Sequence, residues 1–329
     1  MSRPIRPPLL RRGRCFSLKG LVLLALLGVL LVLPSLLPLD PYRVDLDAIL
    51  VPPSFAHPLG TDENGRDVLA RLLFAARVTL GIGLAGTAIA LIFGAGVGGL
   101  AGYLGGASDA VLMRLVDLGL SFPSLFVILM VSAVFPPGAI PLIVLIGVTG
   151  WMPVARLVRG SVRELMAGPA VEAARALGAT GRRVIWNHLL PCVRGLLGVM
   201  GLVQLNRAIL AEATISFLGF GIQPPVPTWG NMLIGAQNYV FTAAWLALAP
   251  GLAITATLLA IFTMGMGGPA GRLVRGSQLQ NLLPGEGTGR TVRGSAPGLR
   301  STWHDTSYPA PPSSPQRGAH GRHDQLRRA

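Results

Sequence analysis

Long stretches without a charged side chain dominate the middle of this sequence. No Asp, Glu, Lys or Arg occurs between Arg77 and Asp109, and none occurs from Leu118 to Ala155. A helix needs about 20 apolar residues to cross the hydrocarbon core of a bilayer. With 51% hydrophobic and 13% charged residues and a mean hydropathy of +0.58, the chain holds more apolar surface than a soluble domain can bury. We therefore predict an all-α integral membrane protein.

The apolar runs divide into six predicted transmembrane helices. A Pro-Pro-Gly turn at 136–138 splits the longest run. The expected spans are 21–39, 78–100, 111–134, 140–158, 193–217 and 243–266. The first is predicted to be an uncleaved anchor, because it lacks a small-x-small cleavage site. The second is rich in small residues that favour close helix packing in lipid; these are Gly81, Gly83, Gly86, Gly94, Gly96, Gly98 and Gly99.

Basic residues indicate the orientation of these spans. Arg and Lys cluster before residue 20 and between Arg156 and Arg194, whereas 219–242 carries no charge. Because cytoplasmic loops are enriched in Lys and Arg, both termini and the insert 159–192 are expected in the cytoplasm. The net charge of +14 could also suggest nucleic-acid binding. That interpretation is less favoured, since no aromatic platform accompanies the charge.

The same pattern divides the chain into five segments. We predict a basic cytoplasmic N-terminus (1–20), the first transmembrane helix (21–39), and an external segment (40–77) that ends in an interfacial helix. A five-helix core with its cytoplasmic insert (78–266) and a disordered cytoplasmic tail (267–329) follow. The tail is either a genuine basic extension on the anionic inner leaflet or the product of a shifted reading frame.

No residue constellation predicts catalysis or metal binding. The acidic residues Asp62, Glu63 and Asp67 lie near His57, but no ligand spacing supports a metal site, and solvated loop charges are the favoured interpretation. The sequence lacks a phosphate-binding Gly-rich loop with Lys. Both cysteines, Cys15 and Cys192, fall in predicted cytoplasmic segments, so a structural disulfide is not expected.

The insert is predicted to be a bent helical hairpin. Pro169 suits a first helical position, and Gly178 suits the left-handed residue that ends the helix. Thr180 is expected to cap a second helix over 181–190, after which Pro191 starts the entry to the fifth span. In isolation, Glu172 is most simply explained by an exposed ion pair within its helix.

The motif Glu172-Ala173-Ala174, Gly178 and Leu190-Pro191 resembles the signature of permease subunits of binding-protein-dependent ABC importers, with His188 where the general motif has Ile. Four further stretches resemble the dipeptide, oligopeptide and nickel branch (C-type permease): 57–67, 211–221, 223–225 and 228–232. The resemblance covers roughly 21–261, and the chain departs from the pattern at about Phe262.

This resemblance implies a type I ABC importer permease fold in a bacterial plasma (inner) membrane. It implies that the insert is a coupling helix that docks on a cytoplasmic ATPase, with coupling residues Glu172, Ala173, Ala174, Gly178, Leu190 and Pro191. The implied partners are a second homologous permease, two ATPase subunits that bind ATP and Mg, and an extracytoplasmic solute-binding protein. The chain itself would be a non-catalytic subunit with no cofactor and no metal.

The path of the solute is less defined by the sequence. Arg207 and Glu212 either line a polar path for peptide termini or contact the sister permease. Pro224, Pro225 and Trp229 are candidates for contact with the binding protein. A secondary transporter or a channel subunit not coupled to ATP is the alternative, but it predicts ion-coupling residues or filter-like repeats that are lacking here. Peptide and nickel-chelate cargo both remain open.

Overall fold

The computed structural model describes residues 38–267, together with the isolated positions Gly28 and Val32. The predicted basic N-terminus, nearly all of the first span and the predicted tail beyond Gly267 therefore lie outside the described residues. Within the described range every regular element is a helix, apart from one isolated bridge between Thr61 and Asp67.

A short 3-10 turn, Leu46–Ala48, precedes eight helices in the described range. They are α1 (Val68–Leu104), α2 (Gly106–Leu120), α3 (Ser124–Val134), α4 (Ala139–Met166), α5 (Pro169–Ala176), α6 (Gly181–Phe217), α7 (Trp229–Ala236) and α8 (Trp245–Gly267). Four of them, α1, α4, α6 and α8, are long and apolar enough to cross a membrane, and α2 with α3 makes a fifth if the bent pair counts as one span. The prediction of an all-α protein with several spans is confirmed.

Among the described helices, α1 and α4 share the most extensive contact. Gly94 and Gly98 of α1 lie directly against Val154 and Ala155 of α4, where an added Cβ would not fit. Close approach through small residues is what association in lipid favours. The predicted role of the glycines in packing is confirmed at these positions. Three others, Gly81, Gly96 and Gly99, have no neighbour within 4 Å of an added Cβ among the described residues.

The predicted interfacial helix and the second span belong to one continuous helix in the structure. Helix α1 runs without a break over 37 residues, because no Pro or Gly interrupts its first three turns. Asp67 is its N-cap, and its side chain accepts a hydrogen bond from the Ala70 amide at 2.8 Å. The predicted interfacial helix is therefore the first part of α1.

The structure also corrects the predicted span 111–134, which is not one straight helix. Helices α2 and α3 meet at an angle of 75°. Pro123 lies at the break in an extended conformation, and proline both lacks an amide donor and disfavours a helical residue before it. No charged residue occurs after Asp117 in this run, so its apolar composition gave no sign of a break, although the proline divides it.

The external segment folds onto the starts of α1 and α8. Asp62 is buried, and its carboxylate binds Arg66 at 2.8 Å and Arg71 at 3.5 Å. Trp245 donates from its indole to the Thr61 carbonyl at 3.3 Å. Asp62 is thus part of a buried ion-pair network, which corrects the prediction of a solvated loop charge. Among the described residues no group of His, Cys, Asp and Glu side chains is arranged to hold a metal ion.

Candidate functional site

Helix α5 is anchored to the rest of the protein by one face. Pro169 begins the helix, as predicted, and Val171 is only 2% exposed. Val171 packs in an apolar cluster with Val158 and Val162 of α4 and Val184 and Leu189 of α6. This cluster joins the hairpin to two long helices, so α5 cannot shift without moving them.

The opposite face of α5 is open. Glu172, Ala173 and Arg175 are exposed, and Leu177 just after the helix is 89% exposed. Ala174 is half-buried. Glu172 forms no ion pair with Arg175 in the part of the chain that the structure describes. The expected ion pair within the helix therefore does not explain why a glutamate lies at this position. Small and apolar side chains beside an unpaired carboxylate form a surface suited to contact with another protein.

Gly178 ends α5 in the conformation that the sequence predicted. Its φ is 81°, in the left-handed region. The Gly178 amide donates to the Arg175 carbonyl at 2.9 Å, and the Ala179 amide donates to the Ala174 carbonyl at 2.9 Å. These two bonds form a Schellman closure, which glycine favours because it has no Cβ. The chain reverses sharply at this point.

The second arm of the hairpin differs from the prediction. The helix that begins at Gly181 does not end at Leu190 but continues as α6 to Phe217, through a π-helical stretch at Ile185–Leu189. The Leu190 amide bonds to the Ile185 carbonyl, five residues back. This wider turn accommodates Pro191, which has no amide donor. Thr180 provides no side-chain cap. The hairpin is therefore a rigid extension of a long apolar helix.

Ion pairs that the sequence analysis missed join α2 to α4 beside the hairpin. Asp109 is buried and binds Arg159 at 2.5 Å and Arg163 at 3.3 Å, and the more exposed Asp117 binds Arg156. The spacing of the two aspartates, about two helical turns, puts them on one face, as does the spacing of the arginines. These spacings in the sequence indicate that the two helices could be joined by ion pairs.

Arg207 and Glu212 are on the same helix but are not brought together. Glu212 is 0% exposed inside the protein, where the Ser216 hydroxyl donates to its Oε1 at 2.8 Å. Its Oε2 has no hydrogen-bond partner among the described residues, although the Thr79 and Thr228 hydroxyls face the same carboxyl group. Arg207 is exposed and lines a cavity of about 410 Å³ between α3, α4 and α6.

The loop before α7 presents only part of its predicted contact surface. Pro224 and Pro225 are exposed, as the prediction requires. Trp229 is 2% exposed, its indole donates to the Leu72 carbonyl at 3.2 Å, and its amide donates to the Thr79 hydroxyl at 3.3 Å. The predicted contact of Trp229 with a binding protein is wrong for this structure, because the side chain fills the core.

Comparison with known proteins places these features in a family. Residues 94–267 match the model of the family described as binding-protein-dependent transport system inner membrane component. The chain is 37% identical over 258 residues to the di/tripeptide transport system permease protein DppC of Pseudomonas aeruginosa, covering 76% of this chain and 85% of that protein. It is 36% identical over 253 residues to the dipeptide transport system permease protein DppC of Bacillus subtilis, covering 76% and 79%.

A third relative is the oligopeptide transport system permease protein OppC of Haemophilus influenzae, 31% identical over 254 residues, with 76% of this chain and 82% of that protein covered. The family match takes in more than half of the chain, including the hairpin, and it ends where α8 ends. The apolar helices agree with a protein that crosses the membrane several times. This chain belongs to the family of binding-protein-dependent transport system inner membrane components.

Proposed function

We propose that this chain is one of two permease subunits of an ATP-driven importer and moves small peptides that an extracytoplasmic binding protein delivers. The observation that carries the proposal is the identity of 31% to 37% with three peptide permeases over three quarters of the chain. The chain would be a non-catalytic subunit, and ATP and Mg would be bound by partner ATPases.

The hairpin is the proposed coupling element. Glu172, Ala173 and Ala174 would dock in a groove of an ATPase, and Gly178 would set the reversal of the chain. Leu190 and Pro191 would fix how the second arm joins α6. The burial of Val171 against α4 and α6 supports this role, because a push on the exposed face of α5 would reach two long helices through a packed cluster.

The proposed orientation puts both termini and the hairpin in the cytoplasm of a bacterium, with six spans in the plasma membrane. The arginines beside the hairpin support it, since positive residues near spans favour the cytoplasmic side. Pro224 and Pro225 would then face the binding protein. Their exposure on the loop before α7 is compatible with that contact.

Uptake of trialanine tests the proposed function. The chain is reconstituted in liposomes with the second permease, the ATPases and the binding protein encoded beside it. We expect accumulation that requires ATP, that stops when the ATPases are omitted, and that persists when ion gradients are dissipated. Uptake driven by a proton or sodium gradient without ATP would instead identify a secondary transporter, and passive flux would identify a channel.

A further inference from the structure

An unpaired cation lies in the middle of α6. Arg207 is the only charged residue between Arg194 and Glu212, and at about 1.5 Å per residue it lies about 20 Å along the helix from Arg194. Its side chain is exposed and forms no ion pair or hydrogen bond with another described residue. A charged group at the centre of a bilayer costs about 2.5–3.5 kcal/mol on insertion scales. Arg207 therefore requires water or an anion that the described residues do not supply.

The cavity beside Arg207 is formed by the break between α2 and α3. Phe122 and Pro123 line it at the bend, and Thr149 and Gln204 line it from α4 and α6. Because α2 and α3 diverge by 75°, the space that a straight helix would fill stays open. Its volume of about 410 Å³ falls within the range of about 300–1,000 Å³ that is usual for sites of small ligands.

The polar groups of this cavity include both hydrogen-bond donors and hydrogen-bond acceptors. The Gln204 amide donates to the Gly150 carbonyl at 2.5 Å, and the Thr149 hydroxyl donates to the Leu145 carbonyl at 2.8 Å. One N–H of the Gln204 amide and the O–H of Thr149 are thus used, and the Gln204 Oε1 and Thr149 Oγ1 atoms can accept hydrogen bonds. Arg207 provides donors only. The walls therefore suit a small solute that carries both a carboxylate and N–H donors.

We propose that this cavity is a transit site for the cargo and that Arg207 binds the cargo's carboxylate. The inference rests on the proposed function and names the residue that contacts the solute. A guanidinium is the cation best suited to the planar carboxylate, because it can donate two parallel hydrogen bonds. The two acceptors would bind the backbone N–H groups or the ammonium of a short peptide. An exposed site of this kind binds the solute weakly, so the solute can leave it again.

Chemical replacement of the charge tests this assignment. Arg207→Cys is made in a chain with Cys15→Ser and Cys192→Ser, and the matched control keeps Arg207 in the same background. Both are assembled with their partners in liposomes, and uptake of trialanine is measured before and after treatment with a 2-aminoethyl or a methyl thiosulfonate. We expect Arg207→Cys to lower uptake at least tenfold. Modification with the aminoethyl group, which restores a positive charge, should raise uptake by the variant at least fivefold. Modification with the neutral methyl group should not raise uptake.

Protection of the cysteine separates cargo binding from contact with the sister permease. If the site holds cargo, saturating trialanine slows modification of Arg207→Cys at least threefold, and the complex stays assembled during size-exclusion chromatography. Equal recovery with both reagents, an unchanged modification rate, or dissociation of the variant complex would overturn the assignment. Failure of the proposed function is distinguishable, because the Arg207 control would then show no ATP-dependent uptake of trialanine.

Discussion

At the scale of single residues, conformation and burial decide what each side chain contributes. Gly178 matters for its backbone, since its φ of 81° is a conformation that side chains with a Cβ rarely adopt. Asp109 matters for its charge, because its carboxylate forms ion pairs with two arginines. Trp229 matters for packing rather than for contact with a partner. The sequence indicated the first of these roles and not the other two, because a charge or an indole reveals its partners only when the fold is known.

Gly178→Val tests the turn. No described atom lies within 4 Å of an added Cβ, so a Cβ meets no neighbouring atom, but the left-handed backbone costs about 1–2 kcal/mol. We expect normal amounts of chain in the membrane and trialanine uptake at least fivefold below wild type. Gly178→Asn is the matched control, because Asn tolerates this conformation, and it should keep most of the activity. Equal uptake by Gly178→Val and wild type would contradict a role for the sharp reversal.

Asp109→Asn tests the buried ion pairs between α2 and α4. The change removes the charged partner of Arg159 and Arg163, whose side chains are 27% and 55% exposed. We therefore expect a loss of stability of about 1.5–3 kcal/mol, the range for hydrogen bonds to charged groups. Asp117→Asn is the control on the same face, and with Asp117 56% exposed it should cost about 0.2–1 kcal/mol. Thermal unfolding of the purified chain in detergent measures both. Equal shifts in melting temperature would show that burial does not distinguish the pairs.

At the scale of elements, apolar runs predicted where helices lie better than where they break. The positions of α1, α4, α6 and α8 follow from stretches of low charge, and Gly178 marked the end of α5. The bend at Pro123 was missed because the run around it is uniformly apolar. The second arm was expected to stop at Leu190 because Pro191 follows. A π-helical turn instead accommodates the proline within one continuous helix, an adjustment that depends on packing as well as on local propensity.

Pro191→Ala tests this junction. Alanine restores the missing amide donor, so Ile185–Leu189 can return to regular α-helix, which would rotate the hairpin relative to the rest of α6. We expect transport per ATP hydrolysed to fall at least threefold with unchanged amounts of chain in the membrane. Cys192→Ala, at the exposed neighbouring position, should leave the ratio unchanged. An unaltered ratio in Pro191→Ala would mean that the junction does not set the angle of the hairpin.

At the scale of the whole molecule, the distribution of charge and the packing both support the proposed coupling role of the hairpin. The hairpin is surrounded by basic residues, is packed onto α4 and α6 through Val171, and lies beside the ion pairs that hold α2 to α4. The far end of the protein carries the folded external segment and the loop before α7. The distribution of basic residues alone predicted this division into two ends, because Lys and Arg are enriched on the cytoplasmic side of transmembrane helices. It did not predict the cavity at the α2–α3 break, which exists only when four helices, α2, α3, α4 and α6, are assembled.

Cross-linking of Ala173 in native membranes tests the central claim most directly, namely that the exposed face of α5 contacts an ATP-hydrolysing partner inside the cell. Ala173→Cys, with Cys15→Ser and Cys192→Ser, is treated with a thiol-to-amine cross-linker, and Phe241→Cys in the exposed outer loop is the matched control. We predict that Ala173→Cys forms a product containing an ATPase subunit, in an amount that changes with ATP, and that Phe241→Cys does not. Labelling of Ala173→Cys by a membrane-impermeant thiol reagent added outside the cell, or the same products from both variants, would contradict the account.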